Sequence, residues 1–423
     1  MVFADLRGSR AGRRLRAGLV LSGGGARGAY EAGVLSYLYE RVYPELPGFE
    51  FDVASGTSVG AIHAAYTLAS AHVDAENRAR HLAETWTTMA MGDVLALGWG
   101  DVLGVPLRAL GLRRGGAARG RPVIGGLVDV SPLERIVEDR VPWRHLERNL
   151  RSGRGHALCI SCTEVRAGRV TVFMDGAGAD PSPWDYDPNA QAIPTRIHAR
   201  HVRASAAIPF LFPAVRIGDR YYVDGGLRMN TPLSPVLRLR SDRVLVVSLR
   251  RKREAGEQAP PYAEEVVTQP AFMLGKVLDA LTLDQLEYEL QRIALVNAMI
   301  DRGEEVFGPD YLERMNPAVR AQRGAGYRRV RAEILRPSED LGRLAAECYG
   351  RSGNARSMGV LPSLLARMAK QGVPDDEADL LSYLYFDTCY TSQLVELGRE
   401  DTRTHHDRLV ELLSEDPDAD PEA

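Results

Sequence analysis

Lysine is almost missing from this chain of 423 residues. Of its 53 basic residues only Lys252, Lys276 and Lys370 are lysines, a skew that points to a GC-rich bacterial genome rather than to a task. The formal charge of −3 leaves no basic excess of the kind that general nucleic-acid binding needs. Four cysteines are too few for a disulfide scaffold at this length, and a reducing, cytosolic setting fits them best. Cys159 and Cys162 form a lone Cys-x-x-Cys pair inside a strand-like run, without the second pair that a zinc site wants, and read as core packing. Long apolar runs are absent as well, and nothing approaches the roughly 18 residues of a membrane span. Arg7, Arg10, Arg13, Arg14 and Arg16 ahead of Ala17–Leu21 imitate a signal peptide, but the apolar run stops at three glycines and doubles as a strand.

Apolar residues are plentiful, at 45%, enough for one large domain or two unequal ones. The pentapeptide Gly56-Thr57-Ser58-Val59-Gly60 lies between a β-prone run, Phe51–Ser55, and an almost uncharged helix candidate, Ala61–Ala69. A serine on such a strand–turn–helix corner exposes its hydroxyl, and the helix N-terminus behind it favours developing negative charge. Gly56 and Gly60 remove the Cβ atoms that would clash at so tight a turn. This is a nucleophile elbow, provided that a base and an oxyanion hole exist elsewhere.

The loop Gly23-Gly24-Gly25-Ala26-Arg27-Gly28 joins a first strand to a first helix and presents free N–H groups at the helix start. As a dinucleotide fingerprint it would want an acidic residue closing the second strand, whereas Asp52 opens that strand. As an oxyanion hole it would aim the N–H groups of Gly24 and Gly25 at an oxygen formed beside Ser58. Arg27 would brace the loop or steer an anionic head group. Asp224-Gly225-Gly226 follows a hairpin-like stretch, Val215–Val223. Taken alone, Asp-Gly-Gly is more often a plain turn than a site.

Together and in this order the three motifs resemble the patatin-like phospholipase family. Gly33, Gly126-Leu127-Val128-Asp129, Ser205-Ala206-Ala207-Ile208-Pro209, Asn230 and Pro232 add to the match, which is strong over about 17–250. The resemblance implies a doubly wound, mostly parallel α/β sheet flanked by helices, an α/β-hydrolase-like three-layer sandwich. It further implies a Ser58–Asp224 dyad, an oxyanion hole built by Gly23, Gly24, Gly25, Arg27 and Gly28, Gly225 and Gly226 as motif glycines, and no metal or cofactor. Among nine histidines, His63 reads as a packed core residue. His198 and His201 alternate as one face of a strand would, and His201 is the alternative base of a triad. The implied activity is lipid acyl hydrolysis of phospholipase A or lysophospholipase type. A small-ester esterase and an idle lipid-binding scaffold are the alternatives.

The expected organisation is a basic arm over 1–16, a catalytic domain over 17–345, a helical C-terminal extension over 346–414 and an acidic disordered tail over 415–423. Within the catalytic domain, 92–126 gathers leucine and Trp99 beside arginines and reads either as a lid or interfacial insertion suited to anionic lipid or, equally, as an extra buried structural element. Ser131–Glu134 has a capping-box pattern, 271–300 reads as a long helix and 328–337 as a returning strand. A helix capped by Pro374-Asp375-Asp376 would carry an apolar stripe, Leu380 to Val395, that packs on the core or on a second subunit. The partners so implied are a lipid substrate, an anionic membrane surface at the inner face and a homo-oligomer through the C-terminal helices.

Overall fold

The computed structural model describes residues 14–89, 131–209, 212–252, 286–351 and 379–414, with backbone only at 131–133 and 379–380. The insertion 92–126, the motif 126–129, most of the basic arm, the cap at 374–376 and the acidic tail lie outside the described residues.

Strands covered on both faces need no polar alternation, and the apolar runs of this sequence form such strands. The chain begins with β1 (Ala17–Leu21), α1 (Gly28–Tyr37), β2 (Val53–Thr57), α2 (Val59–Ala69) and α3 (Ala75–Thr87). Next come α4 (Ser131–Arg140), α5 (Trp143–Arg151), β3 (Ala157–Glu164), β4 (Val170–Asp175), β5 (Ala190–Pro194) and α6 (Ala199–Ser205). The hairpin of β6 (Val215–Ile217) and β7 (Arg220–Asp224) precedes α7 (Leu233–Arg238) and β8 (Arg243–Val247). Then follow α8 (Leu286–Phe307), α9 (Tyr311–Arg323) and β9 (Arg331–Leu335). Four helices close the described chain: α10 (Leu341–Arg351), α11 (Asp379–Leu384), α12 (Thr388–Thr404) and α13 (His406–Leu413).

The sheet has the order β5-β4-β3-β2-β1-β8-β9. β3, β2, β1, β8 and β9 are mutually parallel, while β4 turns back along β3. This is the doubly wound, mostly parallel architecture expected. Residues 328–337 do return to the sheet, as β9 beside β8. The long helix spans Leu286–Phe307, and 271–285 lie outside the described residues. Alternation along β1 shows the layers: Leu19 and Leu21 enter one apolar core with α1, α2 and α12, and Val20 enters the other with α7. Cys159 and Cys162, three apart on β3, fall into opposite cores, so the Cys-x-x-Cys pair shares no face and is packing.

α1 is buried along nearly its whole length, as an interior helix must be when it has no polar stripe. It crosses α12 backbone to backbone. A Cβ at Gly33 would strike the Val395 carbonyl, and one at Gly398 would strike that of Tyr30. The stripe of Leu381, Tyr385, Leu394 and Val395 packs into this same core.

The expectation of reduced cysteines holds for Cys159 and Cys162 and fails for the other two. Cys348 on α10 and Cys389 on α12 are joined, with Cα atoms 5.9 Å apart. A separation of 41 residues carries no sequence signature for that pairing. Thiol titration of the denatured, unreduced protein should therefore count two thiols rather than four. Cys389→Ser should lower Tm, since closing a loop of this size is worth about 4 kcal/mol of chain entropy. Four titrating thiols would show the pair reduced.

Candidate active site

The strand register builds the site. β2 pairs with β3 from Val53 opposite Ala157 to Thr57 opposite Ser161, and then ends. β3 runs on to Glu164, and along the edge so vacated β7 pairs antiparallel, with Asp224 opposite Cys162. Thr57 and Asp224 are thus successive occupants of one edge of β3. The residue after Thr57 must turn directly beside Asp224, and that residue is Ser58.

Ser58 turns with φ 54° and ψ −121°, a conformation that a side chain rarely accepts and that recurs at functional corners. Its N–H donates to Ser205 Oγ at 2.8 Å, and Ser205 in turn donates to the Ser161 carbonyl at 2.6 Å, which fixes the corner to β3. The corner also needs its flanking glycines. A Cβ at Gly56 would meet the Gly60 carbonyl, and one at Gly60 the Leu21 carbonyl.

Asp224 is 7% exposed and close enough to the Ser58 side chain for the hydroxyl to favour its ionised form. Burial pushes its carboxyl up to about 6, against the opposing pull of the Gly226 N–H and of the Ser58 hydroxyl nearby. The Gly226 N–H reaches Oδ1 at 2.7 Å, and Gly225 presses so closely on the Ser161 carbonyl that no side chain fits.

The glycine loop lies against the same corner, for a Cβ at Gly23 would be 3.2 Å from Ser58 Cβ. The Gly23 N–H is committed to the Asn230 carbonyl at 3.0 Å. Those of Gly24 and Gly25 have no acceptor among the described residues. Arg27 closes the turn by donating its N–H to the Gly24 carbonyl at 3.1 Å. Its side chain is buried, Nε donating to Ser382 Oγ at 2.8 Å and the guanidinium lying 4.2 Å from the Tyr383 ring centre. This is the geometry of a brace. Gly28 seats the start of α1 on Val59 and Trp86. Asp52 fastens the sheet, accepting from the Ala17 N–H at 2.8 Å.

The histidines are engaged elsewhere. Residues 199–205 are the helix α6 rather than the strand expected, with His198 at its cap and the His201 Nδ1 accepting from the His198 N–H at 3.0 Å. Burial lowers the His201 pKa to about 4. No hydrogen bond joins His198 or His201 to Ser58 or Asp224. His63 is the core residue expected, lowered to about 3 by burial. Trp86 Nε1 can only donate, so His63 Nε2 (2.9 Å away) is bare and Nδ1–H donates to Glu31 at 2.8 Å.

Ser58 opens onto an apolar cavity lined by Val59, Ile62, Trp86, Met89, Phe212, Leu384 and Phe386, among others. Sequence reasoning missed Ser205 as the anchor of the elbow, and it missed the C-terminal wall altogether. The only hint of the first was the serine in Ser205–Pro209, and nothing local to 379–386 announces the second.

The family model "Patatin-like phospholipase" matches residues 19–237, a segment that holds all three motifs. Among solved structures, VipD from Legionella pneumophila aligns over 94% of this chain and 67% of its own, at 13% identity and a TM-score of 0.35. Human GIVD cytosolic phospholipase A2, in complex with methyl gamma-linolenyl fluorophosphonate, aligns at 13% identity and a TM-score of 0.35. That alignment covers 94% of this chain and 59% of the human one, so the chain spans less than two thirds of its length.

Proposed function

Because the chain belongs to the patatin-like phospholipase family, and with it to the lipid ester hydrolases, we propose that Ser58 and Asp224 form its catalytic dyad. The supporting observation is the strand register that sets Ser58 beside the buried Asp224 carboxyl, at the mouth of an apolar cavity. Ser58 Oγ attacks the ester carbonyl and its proton passes to Asp224. The oxyanion accepts from the Gly24 and Gly25 N–H groups. Collapse breaks the bond to the alcohol, which leaves with the proton returned by Asp224. Water, deprotonated by the same carboxylate, then attacks the acyl-serine, and the fatty acid is released as Ser58 Oγ takes the proton back from Asp224. The apolar walls take the acyl chain, which makes phospholipids and lysophospholipids the substrate class. Among the described residues no helix is long and apolar enough to cross a membrane.

Hydrolysis of a lipid panel read by mass spectrometry, wild type against Ser58→Ala, tests this. Fatty acid release in the wild type alone supports it, and equal release by both sinks it. A second expectation concerns pH. The base must be ionised, so kcat/KM for a soluble ester should fall tenfold per unit below about pH 6 and level off above it. A profile flat from pH 4 to 9 would remove Asp224 from the proton transfer.

A further inference from the structure

Arg27 sits in the loop that carries the oxyanion donors, yet what holds it comes from more than 350 residues away. Three contacts converge there. The Arg27 Nε donates to Ser382 Oγ at 2.8 Å, wholly inside the protein. Its guanidinium lies over the Tyr383 ring at 4.2 Å, a cation–π contact strengthened by desolvation. Gly25, at φ 57°, is packed so tightly under the Tyr383 carbonyl that a Cβ would strike it. Tyr390 beside Ser382 donates its hydroxyl to the Leu341 carbonyl at 3.1 Å, and the Cys348–Cys389 disulfide and the Asp387 cap on the Cys389 N–H (2.9 Å) hold the start of α12 there.

The backbone of Arg27 is the second end of the turn whose first end is Gly24. Fixing the side chain therefore fixes the direction in which the Gly24 and Gly25 N–H groups point. We propose that Ser382 and Tyr383 are positioning residues for the reaction: acting through Arg27, they hold the oxyanion donors in register with the oxygen that forms beside Ser58. The proposal rests on the hydrolase reading given above. Ser382 and Tyr383 lie outside the matched segment, which ends at residue 237. Donors that drift by a fraction of an ångström lose stabilisation of the transition state while leaving ground-state binding in the cavity untouched.

The test is a double-mutant cycle on a soluble medium-chain ester, with kcat and KM measured for wild type, Ser382→Ala, Arg27→Ala and the double variant, and melting curves for each. Ser382→Ala should lower kcat about tenfold with KM within about twofold of wild type. In the Arg27→Ala background the same change should cost nothing further, because the route through Arg27 is already lost. Ser382→Thr, which keeps the hydroxyl, should restore most of kcat. Losses that multiply in the double variant, or an unchanged kcat in folded Ser382→Ala, overturn the proposal. Should Ser382→Ala not fold, Tyr383→Phe against Tyr383→Leu decides. The retained ring should keep several-fold more kcat, and equal values overturn it. A folded wild type that neither turns over esters nor labels with a fluorophosphonate overturns the hydrolase reading and this proposal with it. A working wild type with a multiplicative cycle overturns the positioning role alone.

Discussion

Ser58→Ala should abolish ester hydrolysis, with a loss of kcat of at least about 10⁴-fold, and should remove labelling by a fluorophosphonate probe. One hydroxyl is deleted and the acyl-enzyme route goes with it. The fold should survive, because the bonds that hold the corner do not use that hydroxyl. Ser58 is anchored by its N–H on Ser205, and Ser205 by the Ser161 carbonyl. Circular dichroism and Tm should stay close to wild type. Undiminished labelling of the variant would place the nucleophile elsewhere.

Asp224→Asn should be nearly as damaging, by roughly a hundred- to ten-thousandfold in kcat. Asparagine keeps the shape and keeps an oxygen for the Gly226 N–H, but it cannot take a proton. Its effect on stability should run the other way. The carboxyl titrates near 6 in the folded protein against 3.8 when free, so folding must hold an ionised group that it desolvates. That cost is absent below pH 3.8, grows as pH rises to about 6 and is complete above it, where it amounts to about 3 kcal/mol. Asp224→Asn should therefore melt higher than wild type at pH 8 and about equally at pH 4. His201→Ala, by contrast, should keep most of the activity. A folded His201→Ala as inactive as Asp224→Asn would replace the dyad with a triad.

The parts of the site that the sequence displays are those made by neighbours in the chain. A strand, a tight glycine turn and a helix leave a local signature, and so β1 with Gly23–Gly28, β2 with Gly56–Gly60 and the hairpin before Asp224 were all legible. The register that joins them was not, for nothing in β7 says that it pairs with β3 past the end of β2. His198 and His201 misled because a short helix with a polar cap has too few turns to declare its period. Their alternation was a cap and its third residue, not a strand face. Ser382 and Cys389 were illegible for a simpler reason. Each is defined by a partner, Arg27 or Cys348, at a separation that no local pattern encodes.

The separation of Arg27 from Ser382 also sets an order of events during synthesis. At about 5–20 residues per second, the glycine loop leaves the ribosome some 20–70 seconds before α11 and α12 are made. Through that interval the elbow and Asp224 can assemble on the sheet, while Arg27 has yet to meet Ser382 and Tyr383. If the proposed roles hold, the nascent chain would have its serine corner in place before the glycine loop is braced, and α11 would be the element that completes the site.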